Sequence, residues 1–125
     1  MISYKRGDVV LLLFPHSDLI TAKRRPALIV QADNIETEIH QKVVAMMTSN
    51  LWRKGTTRLH VRAQSETVEA MGIKIDSVVV CDNLATVLTA QIDEVIGRCP
   101  TMKEVDDGLR KTLALNDAVS PSSEQ

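Results

Sequence analysis

A run of three cations, Lys23, Arg24 and Arg25, is followed directly by Pro26 and the apolar segment 27–30. The apolar segment is typical of a buried β-strand, and proline suits the first position of a strand because it has no N–H to donate to a neighbour. Proline also favours an extended backbone in the residue before it, so Arg25 is expected where a basic loop enters a rigid strand. A guanidinium on such a base can bind a phosphate through paired hydrogen bonds. A solvated charge run that leads into a core strand is the alternative.

A second group of polar side chains ends another apolar run. Residues 43–47 read Val-Val-Ala-Met-Met and are followed by Thr48, Ser49 and Asn50. A threonine hydroxyl at the end of a strand can hydrogen-bond a phosphate oxygen, or it can satisfy a neighbouring backbone group. Asp82 follows a valine-rich segment, where its carboxylate can act as a base or can cap a turn.

The elements that must position these groups belong to a single domain. A chain of 125 residues with 44% hydrophobic and 25% charged residues can bury one core, which we expect within residues 1–115. The serine-rich residues 116–125 are predicted to form a disordered tail. One Trp, one Tyr and one Phe imply an aliphatic core, and this scarcity argues against aromatic platforms on which nucleic-acid bases stack.

Several classes of function are disfavoured. The apolar runs are too short to span a membrane, and the N-terminus lacks the order of a signal peptide, so a cytoplasmic location and no membrane partner are expected. Cys81 and Cys99 lack metal-ligand spacing and are interpreted as free thiols. The three histidines show no metal-binding pattern, and glycine-rich nucleotide motifs are absent, so no metal and no cofactor are predicted.

The net charge of −1 hides an uneven distribution. Residues 1–63 carry ten Lys/Arg and five Asp/Glu, which gives +5, whereas residues 64–125 carry five and eleven, which gives −6. A basic half can bind a polyanion although the whole chain is nearly neutral, because the local field decides the interaction. Folding that mixes the two halves would remove this asymmetry.

Hydrophobic patterning predicts a mainly β protein, α+β in class, that ends with a helix. The expected strands are residues 9–14, 27–31, 43–47, 57–62, 77–81 and 84–88. Residues 64–73 suit a short helix or an irregular connection, and residues 92–99 suit either a helical turn or a last short strand. Thr101 and Glu104 match a capping box that opens a helix of about four turns. This order indicates a small antiparallel barrel with the helix packed on it.

Five segments in this order resemble the MazF/PemK family of toxin endoribonucleases. They are residues 5–10, 24–30, 44–50, 77–87 and the last strand and helix between 96 and 109. The resemblance, over about residues 4–115, implies an SH3-like barrel that forms a homodimer and binds single-stranded RNA or mRNA across the dimer. It also implies the toxin of a type II toxin–antitoxin system, which the C-terminal segment of a cognate antitoxin silences. DNA would be contacted only indirectly, through the antitoxin complex.

The resemblance also implies the chemistry. Family members cleave RNA without a metal, by attack of the ribose 2′-hydroxyl, to leave a 2′,3′-cyclic phosphate and a 5′-hydroxyl. Arg25 aligns with the catalytic arginine of the family and Thr48 with its catalytic threonine. Further candidates for catalysis or RNA contact are Asp82, Ser49 and His16, and candidates for RNA binding are Lys23, Arg24, Asn50, Arg53 and Lys54. The loop at 15–25 and Asn83 depart from the family pattern, which leaves the proton acceptor and the base specificity open.

Two other functions share this fold class. A toxin that resembles CcdB, or a regulator of the same fold that has lost catalysis, would act by binding a protein and would not cleave RNA. Neither needs a phosphate-binding pair of side chains. The presence of both Arg25 and Thr48 therefore favours the ribonuclease interpretation over both alternatives.

Overall fold

Six strands and two helices make up the fold in the computed structural model, which describes residues 3–15, 22–35, 38–52, 54–62 and 66–115. The elements are β1 (Asp8–Pro15), β2 (Ala22–Ile29), β3 (Gln41–Thr48), β4 (Arg58–Val61), α1 (Glu66–Met71), β5 (Ser77–Leu88), β6 (Ile92–Arg98) and α2 (Met102–Leu113), with a 3₁₀ turn at Thr89–Gln91. The mainly β, α+β class with a terminal helix is therefore confirmed. The tail predicted at residues 116–125 lies outside the described residues.

All six strands form one antiparallel sheet in the order β4-β5-β3-β2-β1-β6. The ladder between β1 and β6 shifts register twice, and the ladder between β3 and β5 shifts once. Bulges of this kind bend a strand and increase its twist. The sheet therefore curves around its core, and α2 packs on β4 and β5.

Side chains are buried on both faces of the central strands. One face, called here the helix face, carries Leu28, Ala45 and Val79 and is covered by Met71 of α1 and Val105 of α2. The other face, called here the far face, carries Val10, Leu12, Ala27, Ile29 and Val44 and is covered by Val87 and Ile92. A slip of one residue in any ladder would exchange the two sets of side chains, so the register of these strands is strongly specified.

The prediction of where β2 begins is wrong. β2 starts well before residue 27, so Arg24 and Arg25 lie inside the strand and not in a loop before it, and Pro26 is not its first residue. Pro26 lies opposite Leu11 of β1, whereas pairing with β3 begins only at Ala27. The missing N–H of proline explains why the ladder on the β3 side starts after it.

Two further expectations are resolved by the structure. The segments predicted separately at 77–81 and 84–88 are one strand, β5, because the polar pair between them forms a bulge and not a turn. The residues at 92–99, for which a helical turn and a strand were both open, form β6 over most of their length. The connection at 64–73 contains the short helix α1.

Helix α2 begins at Met102, where the capping box predicts it, but the Thr101 side chain makes no capping hydrogen bond. The Thr101 hydroxyl lies 3.5 Å from Cys99 Sγ instead. Gly108, in the middle of α2, is buried against β5, and a Cβ added there would stand 2.9 Å from Cys81 Sγ. This close approach explains the glycine in an otherwise regular amphipathic helix.

Substitution of Gly108 by alanine tests that contact. Alanine in a helix interior is ordinarily better than glycine by about 1 kcal/mol, but here the new methyl group must displace the buried Cys81 thiol. We expect Gly108→Ala to lower the free energy of unfolding by about 1–3 kcal/mol, the cost of overpacking, in urea denaturation. In a Cys81→Ala background the same substitution should cost markedly less. Equal losses in the two backgrounds would contradict the contact.

Both cysteines are buried free thiols, as expected. Burial raises the pKa of the Cys81 thiol to about 11, and the nearby Asp82 carboxylate adds to the shift. Cys81 therefore stays protonated at neutral pH and packs as a small apolar side chain.

Folding mixes the basic and acidic halves of the chain. Ion pairs that join the two halves are Arg6–Asp106, Arg24–Asp93, Arg58–Asp82 and Asp8–Arg98. The charge asymmetry along the sequence is therefore not a separation of charge in space. A site that binds an anion must use cations that are not part of these ion pairs.

Candidate active site

The register between β2 and β3 brings Arg25 and Thr48 together. The ladder between the two strands begins with Ala27 opposite Met46 and runs to Ile29 opposite Val44. Extended two residues outward, the same register places Arg25 opposite Thr48, on the far face that also carries Ala27 and Met46. Both residues line one groove of about 530 Å³.

The groove lies where the pairing between β2 and β3 stops. Four of its lining residues are candidates named from the sequence: Arg24, Arg25, Thr48 and Ser49. Sequence reasoning missed two further charged residues in its wall, Lys74 and Glu94. No local signal identifies either of them, because Lys74 reaches the groove through the connection between α1 and β5, and Glu94 through the pairing of β6 with β1. Arg24 is paired with Asp93, so two further cations, Arg25 and Lys74, face one carboxylate and the lining is net positive.

Arg25 differs from most arginines of the described chain because it has no anionic partner. The arginines that form ion pairs with aspartates are Arg6, Arg24, Arg58, Arg98 and Arg110. No side-chain hydrogen bond or ion pair joins Arg25 to another described residue, and its side chain is exposed. Its guanidinium donors are therefore available to a phosphate.

Thr48, the last residue of β3, keeps its hydroxyl proton available. Its Oγ1 accepts a hydrogen bond from the backbone N–H of Asn50 at 3.1 Å, and Asn50 Oδ1 accepts one from the Trp52 N–H at 3.1 Å. A hydroxyl has one donor and two acceptor sites, so this local contact leaves the O–H of Thr48 free to donate. The Asn50 side chain itself is occupied in shaping the loop after β3.

Asp82 lies apart from this pair within the protomer. Thr48 is opposite Val78 in β5, and Asp82 follows four residues later, roughly 13 Å away at the rise of a strand. Asp82 accepts two hydrogen bonds from Arg58, both at 2.8 Å, and one from the Thr57 hydroxyl at 3.1 Å. The bonds from Arg58 hold the pKa of Asp82 below its ordinary value, and the bond from Thr57 adds to this. A carboxylate held in this way is a poor proton acceptor and a good structural anchor.

The ion pair between Asp82 and Arg58 predicts a pH-dependent stability. A carboxyl whose pKa is lowered in the folded state stabilises the fold above its ordinary pKa of about 3.9, and loses this contribution as the pH falls through its lower folded value. Asp82→Asn should therefore lower the free energy of unfolding at pH 7, and the variant and the wild type should converge in acid. Urea denaturation across a pH series measures this, with Glu38→Gln in the loop before β3 as the exposed control. A gap that stays constant down to acid pH would contradict it.

The remaining candidates lie elsewhere. Lys54 lines a second depression together with Trp52. The backbone of Lys23 pairs with that of Phe14 between β2 and β1. His16 and Arg53 lie outside the described residues.

The described part of the chain contains neither a metal-binding cluster nor a membrane-spanning helix. No group of three or more His, Cys, Asp or Glu residues in the described ranges could hold a metal ion. None of the helices in those ranges is long and apolar enough to cross a membrane.

Comparison with protein families identifies the class of protein. The family model for PemK-like, MazF-like toxins of type II toxin–antitoxin systems matches residues 5–113, a range that contains every element from β1 to α2. The chain therefore belongs to this toxin family. A comparison with curated proteins gave no match.

Solved structures share the fold at low sequence identity. An endoribonuclease in complex with its cognate antitoxin from a mycobacterial species has a TM-score of 0.70 and 20% identity, over 91% of this chain and 98% of that chain. The Mycobacterium tuberculosis toxin MazF-mt6 has a TM-score of 0.68 and 20% identity, over 88% of this chain and 99% of that chain. A chain of a MazE–MazF structure from Deinococcus radiodurans has a TM-score of 0.67 and 18% identity, over 92% of this chain and 96% of that chain. These likenesses confirm the predicted fold, the small SH3-like antiparallel barrel of MazF-like toxins with a terminal helix.

Proposed function

We propose that this toxin is an endoribonuclease that cleaves single-stranded RNA, including mRNA, without a metal ion. The observation that supports this most directly is that Arg25, which has no anionic partner in the described chain, lines the same groove as Thr48. Similar folds occur in proteins named endoribonucleases. The ribose 2′-hydroxyl attacks the adjacent phosphate, and the products carry a 2′,3′-cyclic phosphate and a 5′-hydroxyl.

Charge stabilisation is the role of the pair. The phosphate gains negative charge as the 2′-oxygen attacks, and donors that already point at it lower the barrier without reorganising. Arg25 stays protonated at any working pH and offers two parallel N–H donors to the non-bridging oxygens. Thr48 donates its free O–H to the same phosphate, with the neighbouring Ser49 as a further polar contact.

A carboxylate also lines the groove and is the candidate proton acceptor. Glu94 lies opposite Leu11 in the β1–β6 ladder, and Leu11 lies opposite Pro26, so Glu94 reaches the groove from the side of Pro26. No side-chain hydrogen bond or ion pair joins Glu94 to another described residue. Asp82 is engaged by Arg58, whereas Glu94 lines the same groove as Arg25 and Thr48, so Glu94 is the candidate to accept the proton of the 2′-hydroxyl.

Cleavage in the presence of EDTA tests the proposed reaction. The purified protein should cut long single-stranded RNA in EDTA and leave cyclic phosphate ends, detected by end analysis of the fragments. Arg25→Ala should reduce the rate by roughly 100- to 1000-fold, the loss seen when one transition-state donor is removed, while circular dichroism shows a folded protein. Arg110→Ala, an arginine of α2 outside the groove, is the matched control. Failure to cut any long RNA, or full activity of Arg25→Ala, would refute the ribonuclease and favour action by protein binding.

A cognate antitoxin is the proposed protein partner, and we propose that its C-terminal segment occupies this groove. Solved relatives in complex with an antitoxin support such a partner. We also propose that the toxin is a homodimer in the cytoplasm. It would contact DNA only indirectly, through its complex with the antitoxin.

The net positive lining of the groove predicts how the antitoxin binds. An acidic C-terminal antitoxin peptide should bind at least about tenfold more weakly to Arg25→Glu or Lys74→Glu, and more weakly at high salt, because exposed charges are screened. Lys103→Glu on α2 serves as the charge-matched control. Calorimetry in two salt concentrations measures both effects. If these charge reversals leave the affinity of the peptide unchanged, the peptide binds outside the groove.

A further inference from the structure

The chain's one tryptophan lies on the surface beside the groove. Trp52, in the connection between β3 and β4, is 86% exposed. It lines a depression of about 590 Å³ together with Leu51, Lys54, His60 and Arg62. The scarcity of aromatic residues argued against a stacking platform, but a large ring left this open to water contributes little to the packing of the protomer. Such a ring is available to a ligand.

Hydrogen bonds on both sides hold the backbone of the loop that carries Trp52. On one side, the backbone N–H of Trp52 donates to Asn50 Oδ1 and the backbone N–H of Asn50 donates to Thr48 Oγ1, each at 3.1 Å. On the other side, the Lys54 carbonyl accepts a hydrogen bond from Arg58 Nη1 at 2.8 Å, and the Lys54 ammonium stands 5.9 Å from the centre of the indole ring. The tryptophan is thus pre-positioned by the residue that ends β3 at the candidate active site.

One row of cross-strand partners leads from the active-site pair to this depression. Thr48 is opposite Val78 of β5, and Val78 is opposite His60 of β4. Directly opposite residues share a face, and neighbouring strands are about 4.8 Å apart, so His60 stands about 10 Å from Thr48 on the same face. Ser77 lines both the groove and the depression, which are therefore contiguous.

The charges around Trp52 select the chemistry of the occupant. Two permanent cations, Lys54 and Arg62, line the depression against one carboxylate, Asp76. A site that joins an exposed aromatic face to cations fits a ligand with flat rings and an anionic backbone, which is a single-stranded nucleic acid. An apolar protein surface would offer no anion to Lys54.

We propose that Trp52 is a stacking platform for a base of the RNA next to the scissile phosphate, with Lys54 beside it to bind the RNA backbone. The proposal rests on the RNA substrate proposed above. Stacking tolerates all four bases because each has a π face. The subsite therefore supplies affinity and alignment of the strand in the groove, and it does not supply base selection.

The fluorescence of this single tryptophan gives a direct test. A 2′-O-methyl RNA oligonucleotide, which cannot be cleaved through its 2′-oxygen, should quench Trp52 saturably. Anisotropy of a labelled copy should show binding about 5- to 150-fold weaker for Trp52→Ala, the range for loss of one base–aromatic stack, with most affinity retained by Trp52→Phe. Leu113→Ala, which removes an exposed apolar side chain from α2, should bind as the wild type does.

Each contrary outcome has a separate meaning. Unchanged fluorescence at saturation, or full affinity of Trp52→Ala, would overturn the stacking platform and leave the cleavage proposal intact, because RNA would still bind and be cut. Loss of affinity that accompanies a change in oligomeric state, measured by light scattering, would assign Trp52 to a contact between two copies and would also overturn the platform. A wild type that neither binds nor cuts RNA would overturn both proposals.

Discussion

The antiparallel register of β2 against β3 is the constraint on which the candidate site depends. Buried side chains on both faces fix it, because Ala27 belongs to the far face and Leu28 to the helix face. A slip of one residue would put Met47 or Ser49 opposite Arg25 in place of Thr48. Pro26 then ends the ladder on the β3 side, which opens the groove that Arg25 and Thr48 line.

Ion pairing sorts the cations of the chain into structural and available groups. Arg58 is bound by Asp82, and this pair holds β4 to β5 and, through the Lys54 carbonyl, the loop that carries Trp52. Arg24 is adjacent to Arg25 in sequence but is paired with Asp93. The arginine that stands opposite Thr48 has no such partner among the described residues. The positive potential of the site thus comes from which cations the fold leaves unpaired, and the total charge of either half of the chain does not determine it.

The sequence predicts the elements whose burial is unambiguous. β1 and β3 are found because strands buried on both faces leave continuous apolar runs, and α2 because its stripe repeats at helical spacing. The start of β2 is missed because cations look like loop residues, although a strand paired only with β1 can expose them. β5 is divided in two because Asp82 and the asparagine after it resemble a turn, whereas tertiary pairing turns them into a bulge.

The candidate site is predictable only in part, for a related reason. Arg25 and Thr48 are found through local segments that resemble a family, and both line the same groove. Glu94 and Lys74 enter the groove through pairings between distant segments, which no local pattern reports. Composition also misleads for Trp52, because a count of aromatic residues does not say which of them faces solvent.

The most direct test of the central claim is a double-mutant cycle on single-turnover RNA cleavage with Arg25→Ala and Thr48→Val. Residues that act as one unit on the same phosphate give losses that are far from additive. The account predicts that each single variant is severely slowed and that the double variant is hardly slower than the slower single variant. Losses that multiply, or a Thr48→Val variant that cleaves at the wild-type rate, would contradict the claim that the register of β2 and β3 builds the active site.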